Sequence, residues 1–305
     1  MKIIVFGSIN IDLVATTPRL PIPGETLLGE SFFTTPGGKG ANQAVALAKL
    51  GIPTQMIGRV GADNFGAELI KNLQNCGVKT ENILIDETVS SGVAVITVDQ
   101  QGENNIIVIP GANGKVNQDD INRLSNLFID AKFLLLQLEI PLEIGILAAQ
   151  KAKEANIKVI LDPAPAPNNL PDEIYPLIDI ITPNETEASQ VGFAVNEQET
   201  AAKAADTLLQ KGVKCAIIKL GAKGVYCATK EESFYIPAFS VNAVDTVAAG
   251  DAFNGGLAAA LFQEKPLKEA VVWGAAAGAL ATTKLGAQSS LPDRITLEKF
   301  VICNS

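Results

Sequence analysis

The sequence predicts an α/β fold: a largely parallel sheet flanked by helices, with a small β-sheet projecting from it. Three observations carry that prediction. Short β-branched or apolar runs alternate with longer Ala- and Leu-rich stretches of helical spacing, the pattern of repeated β-α units. Two stretches break the rhythm. Residues 11–36 carry prolines at 18, 21, 23 and 36, and residues 92–109 alternate apolar side chains through Val93-Ala94-Val95-Ile96-Thr97-Val98 before a polar turn. At 305 residues, 47% hydrophobic and 19% charged, the chain is long enough to bury a large core.

Strands are expected at 2–6, 54–57, 132–136, 158–161, 178–181, 214–219 and 225–228, short runs of mostly β-branched or apolar residues. Helices are expected at 39–49, 65–75, 141–154, 197–210, 250–262 and 267–283, where apolar residues recur at helical period. The two irregular stretches read as antiparallel strands. Too short to hold a core of their own, they are expected to project as a lid from a single domain spanning 1–305. No internal repeat, low-complexity tract or interdomain linker stands out.

Composition removes several kinds of chemistry. The chain has no histidine, which excludes Ser-His-Asp triads, Cys-His pairs and His-ligated zinc together. Proton transfer then falls to a carboxylate, lysine, tyrosine or cysteine. Cys76, Cys215, Cys227 and Cys303 form no C-x-x-C pair and read as reduced thiols. A formal net charge of -9 argues against a nucleic-acid partner, which needs a basic groove. No apolar run reaches the roughly 18–20 residues of a membrane span, and residues 1–7 turn polar too soon for a signal peptide. A soluble, cytoplasmic protein with no membrane partner is the expectation.

Five segments concentrate the groups from which a site is built. Gly7-Ser8-Ile9-Asn10-Ile11-Asp12 follows the first strand. It sets Asn10 and Asp12 beyond a strand's carboxyl end, where open parallel sheets collect ligands and where both side chains suit a polyol. Asn and Asp are equally ordinary turn formers. Pro36-Gly37-Gly38-Lys39-Gly40-Ala41-Asn42-Gln43-Ala44 is a glycine-rich turn entering a helix, which lets a ligand approach backbone N–H groups or simply makes a turn. It is not the phosphate loop G-x-x-x-x-G-K-[ST], and Gly111-Ala112-Asn113-Gly114-Lys115-Val116 fails the same test. No G-x-G-x-x-G follows the first strand, which disfavours a dinucleotide enzyme.

The third segment, Asp245-Thr246-Val247-Ala248-Ala249-Gly250-Asp251, precedes a long Ala-rich helix. The N–H groups of Ala248, Ala249, Gly250 and Asp251 suit an anion-binding nest at the positive helix end, and Asp251 suits a base for a hydroxyl proton. The alternative is Asp251 as an N-cap, with the small residues serving close packing. In Thr182-Pro183-Asn184-Glu185-Thr186-Glu187, oxygens gather where hydrated Mg²⁺ could sit beside phosphates, or where acidic residues merely complement a helix dipole. Lys219-Leu220-Gly221-Ala222-Lys223-Gly224 is a glycine-containing turn between two strands.

In combination these segments resemble the ribokinase family of the phosphofructokinase-B type carbohydrate kinases, from Gly7 to about Pro292. GGKGANQA and VDTVAAGDAFNG are specific to that superfamily when both occur, and Pro21-Ile22-Pro23-Gly24-Glu25-Thr26, Leu136-Gln137-Leu138-Glu139 and Pro163-Ala164-Pro165-Ala166 are similar to phrases of the same family. The resemblance implies a three-layer αβα sandwich and ATP-dependent phosphorylation of D-ribose, with Asp251 as base and Ala248, Ala249 and Gly250 as the anion hole. It implies that Asn10, Asp12, Gly38, Lys39, Asn42 and Glu139 surround the sugar. Asn184, Lys219, Gly221, Gly224 and Gly250 would meet ATP, with Glu187 holding Mg²⁺ through water; some members carry threonine where this chain has Lys219. It further implies an activating K⁺ held by Asp245, Val247, Ala281, Gly286 and Ser290, and a homodimer through the lid sheets. Other sugar or nucleoside kinases of the superfamily, and a non-catalytic sugar-binding protein, are the competing readings.

Overall fold

A computed structural model describes residues 1–166, 170–192 and 194–304. Among them the strands are β1 (Lys2–Phe6), β2 (Asn10–Thr17), β3 (Ser31–Gly37), β4 (Thr54–Gly61), β5 (Lys79–Asp86), β6 (Gly92–Asp99), β7 (Asn104–Ile109), β8 (Ala131–Leu136), β9 (Lys158–Leu161), β10 (Ile180–Ile181), β11 (Cys215–Lys219), β12 (Val225–Thr229) and β13 (Ser233–Ile236). The α-helices are α1 (Lys39–Lys49), α2 (Asn64–Asn75), α3 (Gln118–Asn126), α4 (Leu142–Glu154), α5 (Glu185–Ala188), α6 (Gln198–Gln210), α7 (Ala249–Phe262), α8 (Leu267–Ala281) and α9 (Arg294–Cys303). All the expected strands and helices form, with ends displaced by a few residues; β5, β13, α3, α5 and α9 are additional.

The large sheet runs β13-β12-β11-β10-β9-β8-β1-β4-β5. Every pairing from β5 to β11 is parallel, and β12 and β13 close one edge as antiparallel strands. Its central strands are buried on both faces, so they read as near-continuous apolar runs. Along β1, Ile3 and Val5 pack into one core layer with Leu47 of α1, Leu257 of α7 and Val271 of α8. Ile4 and Phe6 pack into the opposite layer with Ile121 of α3, Ala149 of α4 and Leu208 of α6. Helices on both faces of one sheet make the three-layer αβα arrangement that the family resemblance implies.

The small sheet, β3-β2-β6-β7, differs in one respect from the expected antiparallel strands. β2–β3 and β6–β7 are antiparallel hairpins, but β2 and β6 pair in parallel, Asn10 opposite Gly92 through Thr17 opposite Asp99. The cause is topological. β2 follows β1 and β6 follows β5, and β1, β4 and β5 are mutually parallel, so both segments leave the large sheet in the same direction.

Ser8, Gln137, Asp162, Thr182 and Asn184 all follow the carboxyl ends of parallel strands, and Lys219 ends one. That edge is where an open α/β sheet leaves room for a ligand. Two close approaches then bring α1 and α7 to the same place. A methyl group on Gly40 would meet Ser8 N at 2.7 Å and Gly7 C at 2.8 Å, so only glycine lets α1 start against the β1–β2 turn. A methyl on Gly255 would meet Ala46 Cβ at 2.4 Å, so α7 lies directly against α1. Gly255→Ala is therefore expected to push the two helices apart and lower unfolding stability by about 1–3 kcal/mol, read as a lower urea midpoint.

Candidate active site

Asp251 lies in the first turn of α7 and is only 4% exposed. It does not cap the helix. The N-cap is Ala248, held in the left-handed region at φ 57° and ψ 10°, which turns the incoming loop sharply into the helix. Asp251 is thereby free to face α1, where Asn42 Nδ2 donates to Oδ2 at 2.9 Å and Gln43 Nε2 donates to Oδ1 at 3.1 Å. Burial pushes this carboxyl up to about 6; Lys39 and the two amide donors oppose the rise, while Asp162 adds to it. A carboxylate held there by neutral amides stays a competent proton acceptor near neutral pH.

The groups expected around a sugar gather on the same side. Lys39 N donates to Glu139 Oε2 at 3.0 Å, and Ser8 Oγ donates to the same oxygen at 2.5 Å. Asp12 packs over Gly37, where a methyl group would lie 2.3 Å from Oδ2. Burial, reinforced by the Glu139 and Asp251 carboxylates, pushes Asp12 up to about 7. Burial works against the Lys39 ammonium, but Asp251, Asp162, Glu139 and Glu187 outweigh it and hold the group above its ordinary value. Gly38, at φ 87°, brings its backbone against Asn10, where an added methyl would stand 2.8 Å from the Asn10 nitrogen. Asn10 is buried and accepts from Asn113 Nδ2 at 2.7 Å. Asn42 Oδ1 is buried without a hydrogen-bond partner among the described residues, an acceptor that a ligand hydroxyl would satisfy.

A cleft of about 620 Å³ opens beside this polar group, lined by Asn184, Lys219, Gly221, Gly224 and Gly250 among others, a size suited to a nucleotide. Gly221 and Gly224 have φ of 52° and 109°, conformations that favour glycine and shape the turn between β11 and β12. Asn184 and Glu187 form a capping box at α5: Asn184 Oδ1 accepts from Glu187 N at 2.9 Å, and Glu187 Oε2 accepts from Asn184 N at 2.8 Å. Burial and the neighbouring Asp162 raise the Glu187 carboxyl, tempered by Lys219. Among the described residues no group of three or more Asp, Glu, Cys or His gathers as a metal cage. These residues fit a magnesium ion that keeps its waters and rests mainly on nucleotide phosphates.

At the other side of the α7 start, Asp245 ties two loops together, its oxygens accepting from Val247 N and Gly286 N, both at 2.9 Å. Ala281 O accepts from Lys284 N at 3.3 Å. Ser290 is buried and donates to Ala287 O at 2.7 Å, which leaves its oxygen able to accept. A carboxylate, backbone carbonyls and a hydroxyl are the hard oxygen donors that an alkali cation takes, so the set fits K⁺ in donor type.

Sequence reasoning missed the residues that connect the two halves. Gln43 Nε2 also donates to Asp162 Oδ2 at 3.1 Å, Gln137 Nε2 donates to Gln43 Oε1 at 2.7 Å, and Lys219 Nζ donates to Asp162 Oδ1 at 3.0 Å. Gln43, Gln137 and Asp162 stand in or beside motif segments, but the links join residues 119 and 94 positions apart and leave no local pattern. Asn113, in the stretch that fails as a phosphate loop, fixes the β1–β2 turn by accepting from Ile9 N at 2.9 Å.

The two raised carboxyls give a direct check. In ¹³C NMR titrations of the free protein, midpoints near 7 for Asp12 and near 6 for Asp251 are expected. Asp251→Asn removes one of the charges that raise Asp12, so the Asp12 midpoint should fall.

Comparison with known proteins places this geometry. The pfkB family of carbohydrate kinases matches residues 1–294. A ribokinase of Haemophilus influenzae is 44% identical over 291 residues, covering 95% of each chain. The structure of a ribokinase from Thermotoga maritima superposes with a TM-score of 0.89 at 42% identity over 99% of both chains. That of an Arabidopsis thaliana ribokinase complexed with ribose and ATP superposes with a TM-score of 0.90 at 35% identity over 98% of both. With a family match over nearly its whole length and relatives of this similarity, the chain belongs to the pfkB family of carbohydrate kinases and is an ATP-dependent carbohydrate kinase.

Proposed function

We propose that the protein phosphorylates D-ribose with MgATP, giving ribose 5-phosphate and ADP, with Asp251 as the base. The observation that carries this reading is the position of Asp251: buried, held by Asn42 and Gln43, and set in the first turn of α7 where the polar group of Asp12, Lys39 and Glu139 meets the nucleotide cleft. The Arabidopsis ribokinase complexed with ribose and ATP supports ribose as the acceptor.

In this reading Asn10, Asp12, Gly38, Lys39, Asn42 and Glu139 orient the sugar so that its 5-hydroxyl faces Asp251. The hydroxyl proton passes to the Asp251 carboxylate as the sugar oxygen bonds to the γ-phosphorus. The bond from that phosphorus to the bridging oxygen breaks, and its electron pair leaves with ADP. Ala248, Ala249 and Gly250 form the anion hole: in the first turn of a helix N–H groups lack intrahelical partners, and the helix dipole favours negative charge there. One of the three is partly engaged, since Ala249 N donates to Thr246 O at 3.2 Å. Magnesium, positioned through water by Glu187 with Asn184 nearby, would neutralise phosphate charge. Potassium at Asp245, Val247, Ala281, Gly286 and Ser290 would fix the loops that lead into α7.

We also assign the small sheet as a lid of a single-domain enzyme and as the contact of a homodimer working in the cytoplasm. Phe32 and Phe33 of β3 are 66% and 49% exposed, and Ile107 of β7 is 65% exposed, apolar edges that a second copy would cover. Among the described residues no helix is long and apolar enough to cross a membrane.

ADP release across D-ribose, 2-deoxyribose, fructose, adenosine and no sugar, in potassium and in sodium, tests the reading. Ribose-dependent, potassium-stimulated turnover is expected; preference for another acceptor would overturn the ribose assignment. Asp251→Asn should reduce kcat by about 10²–10⁴-fold while sugar binding stays measurable by calorimetry. Because the base acts only when ionised, and Asp12 of the sugar group ionises near 7, kcat/KM should rise with pH through about 6 to 7 and level off above that range. Ile107→Glu should shift sedimentation from dimer to monomer.

A further inference from the structure

Lys219 sits between the two halves of the site. Its ammonium bonds Asp162 Oδ1 at 3.0 Å, with the two side chains only 13% and 3% exposed. The same ammonium reaches the start of α7: a methyl group built on Gly250 would stand 3.4 Å from Lys219 Nζ. It also lies 6.0 Å from the centroid of the Phe253 ring, one turn further along that helix. The Lys219 backbone is held independently, its N–H donating to Pro183 O at 2.9 Å beside a bridge to Asn184. The side chain can therefore change partners while its root stays fixed.

A buried ion pair of this kind does not explain itself as a stabilising device, because desolvating both ions offsets most of their attraction. Here the cation faces a cleft that receives a polyphosphate, and the carboxylate has a second partner in Gln43 Nε2, which also holds Asp251. We propose that Lys219 is a catalytic residue: Asp162 stores its ammonium in the free enzyme, and the ammonium moves to the phosphoryl group in transfer. It stays protonated throughout. It donates hydrogen bonds to the non-bridging oxygens while the sugar oxygen bonds to phosphorus, the bond to the ADP oxygen breaks, and Asp251 takes the hydroxyl proton. Asp162 is then a positioning residue with Gln43 as its remaining donor. Storage on Asp162 points the lysine at the α7 start before nucleotide arrives and keeps it from binding ground-state phosphate at full strength. The inference rests on the assigned base and anion hole but not on ribose as the acceptor.

Two variants and two probes test it. Lys219→Thr should lower kcat by about 10²-fold or more with whichever acceptor supports turnover, while the acceptor KM stays within about threefold. ADP binding, measured without sugar, should change little. The added affinity that aluminium fluoride gives to the ADP complex with Mg²⁺ should be lost, because that anion imitates the transferring group. Lys219→Arg should restore part of both signals, since charge is kept but geometry altered. Asp162→Asn keeps an acceptor for Gln43 but removes the storage charge, so ATP binding without sugar should tighten by about tenfold, the worth of one charge-assisted hydrogen bond. Turnover of Lys219→Thr near the parent value, or equal loss of ADP and ADP–fluoroaluminate binding, would overturn the catalytic role. Unchanged or weaker ATP binding by Asp162→Asn would overturn the storage role. The aluminium fluoride measurement needs no acceptor, so a wrong sugar assignment leaves its outcome intact.

Discussion

The site depends on one buried carboxylate held by two amides of a neighbouring helix. Among the described residues Asp251 has no cationic partner in direct hydrogen-bond contact; Asn42 and Gln43 satisfy it with neutral donors. A direct salt bridge would pull its pKa down and make it a poorer proton acceptor, whereas burial with neutral donors leaves it raised but ionisable. The rest of the architecture follows from the need to hold α1 and α7 in register. Gly255 against Ala46 sets their separation, and Gly40 against the β1–β2 turn sets where α1 begins. Gln43 then links the carboxylates of Asp251 and Asp162, so the polar group around Asp251 and the cleft beside Lys219 share one hydrogen-bonded chain.

The absence of histidine gives this chain its chemical economy. Without a side chain that ordinarily titrates near neutrality, the protein moves carboxyls into that range by burial and mutual repulsion. Asp12 and Asp251 stand near 7 and near 6, and each is raised mainly by loss of water. Positive charge is kept close but indirect: Lys39 balances the cluster through space, and its own backbone rather than its ammonium bonds Glu139.

Much of the fold was legible because burial on both faces leaves an unmistakable record. Strands such as Ile3-Ile4-Val5-Phe6 are apolar at every position, and α7 and α8 are packed with alanine. Elements at the periphery were not legible. β5 mixes Lys79, Glu81 and Asn82 into its run because it is an edge strand, and α3 is polar over much of its length. The parallel pairing of β2 with β6 depends on where each strand leaves the large sheet, which no local pattern records. At the site, glycine-rich turns and the AAGD segment could be read directly. The Gln43–Asp162–Lys219 chain could not, because it exists only where three distant strand and helix ends meet, and the left-handed turn at Ala248 falls on a residue type that gives no warning.

The small sheet carries a mechanical consequence. Its first strand begins at Asn10 and includes Asp12, and its second ends at Gly37, immediately before the helix that presents Asn42 and Gln43. The sheet is thus spliced into the polar group around Asp251 rather than laid over it. Any tilt of this sheet would work as a lever on the local field, changing the spacing of Asp12 from Glu139 and Asp251 and with it the proton affinity of Asp12. Enclosing a substrate and tuning the acid-base balance around it would then be a single motion.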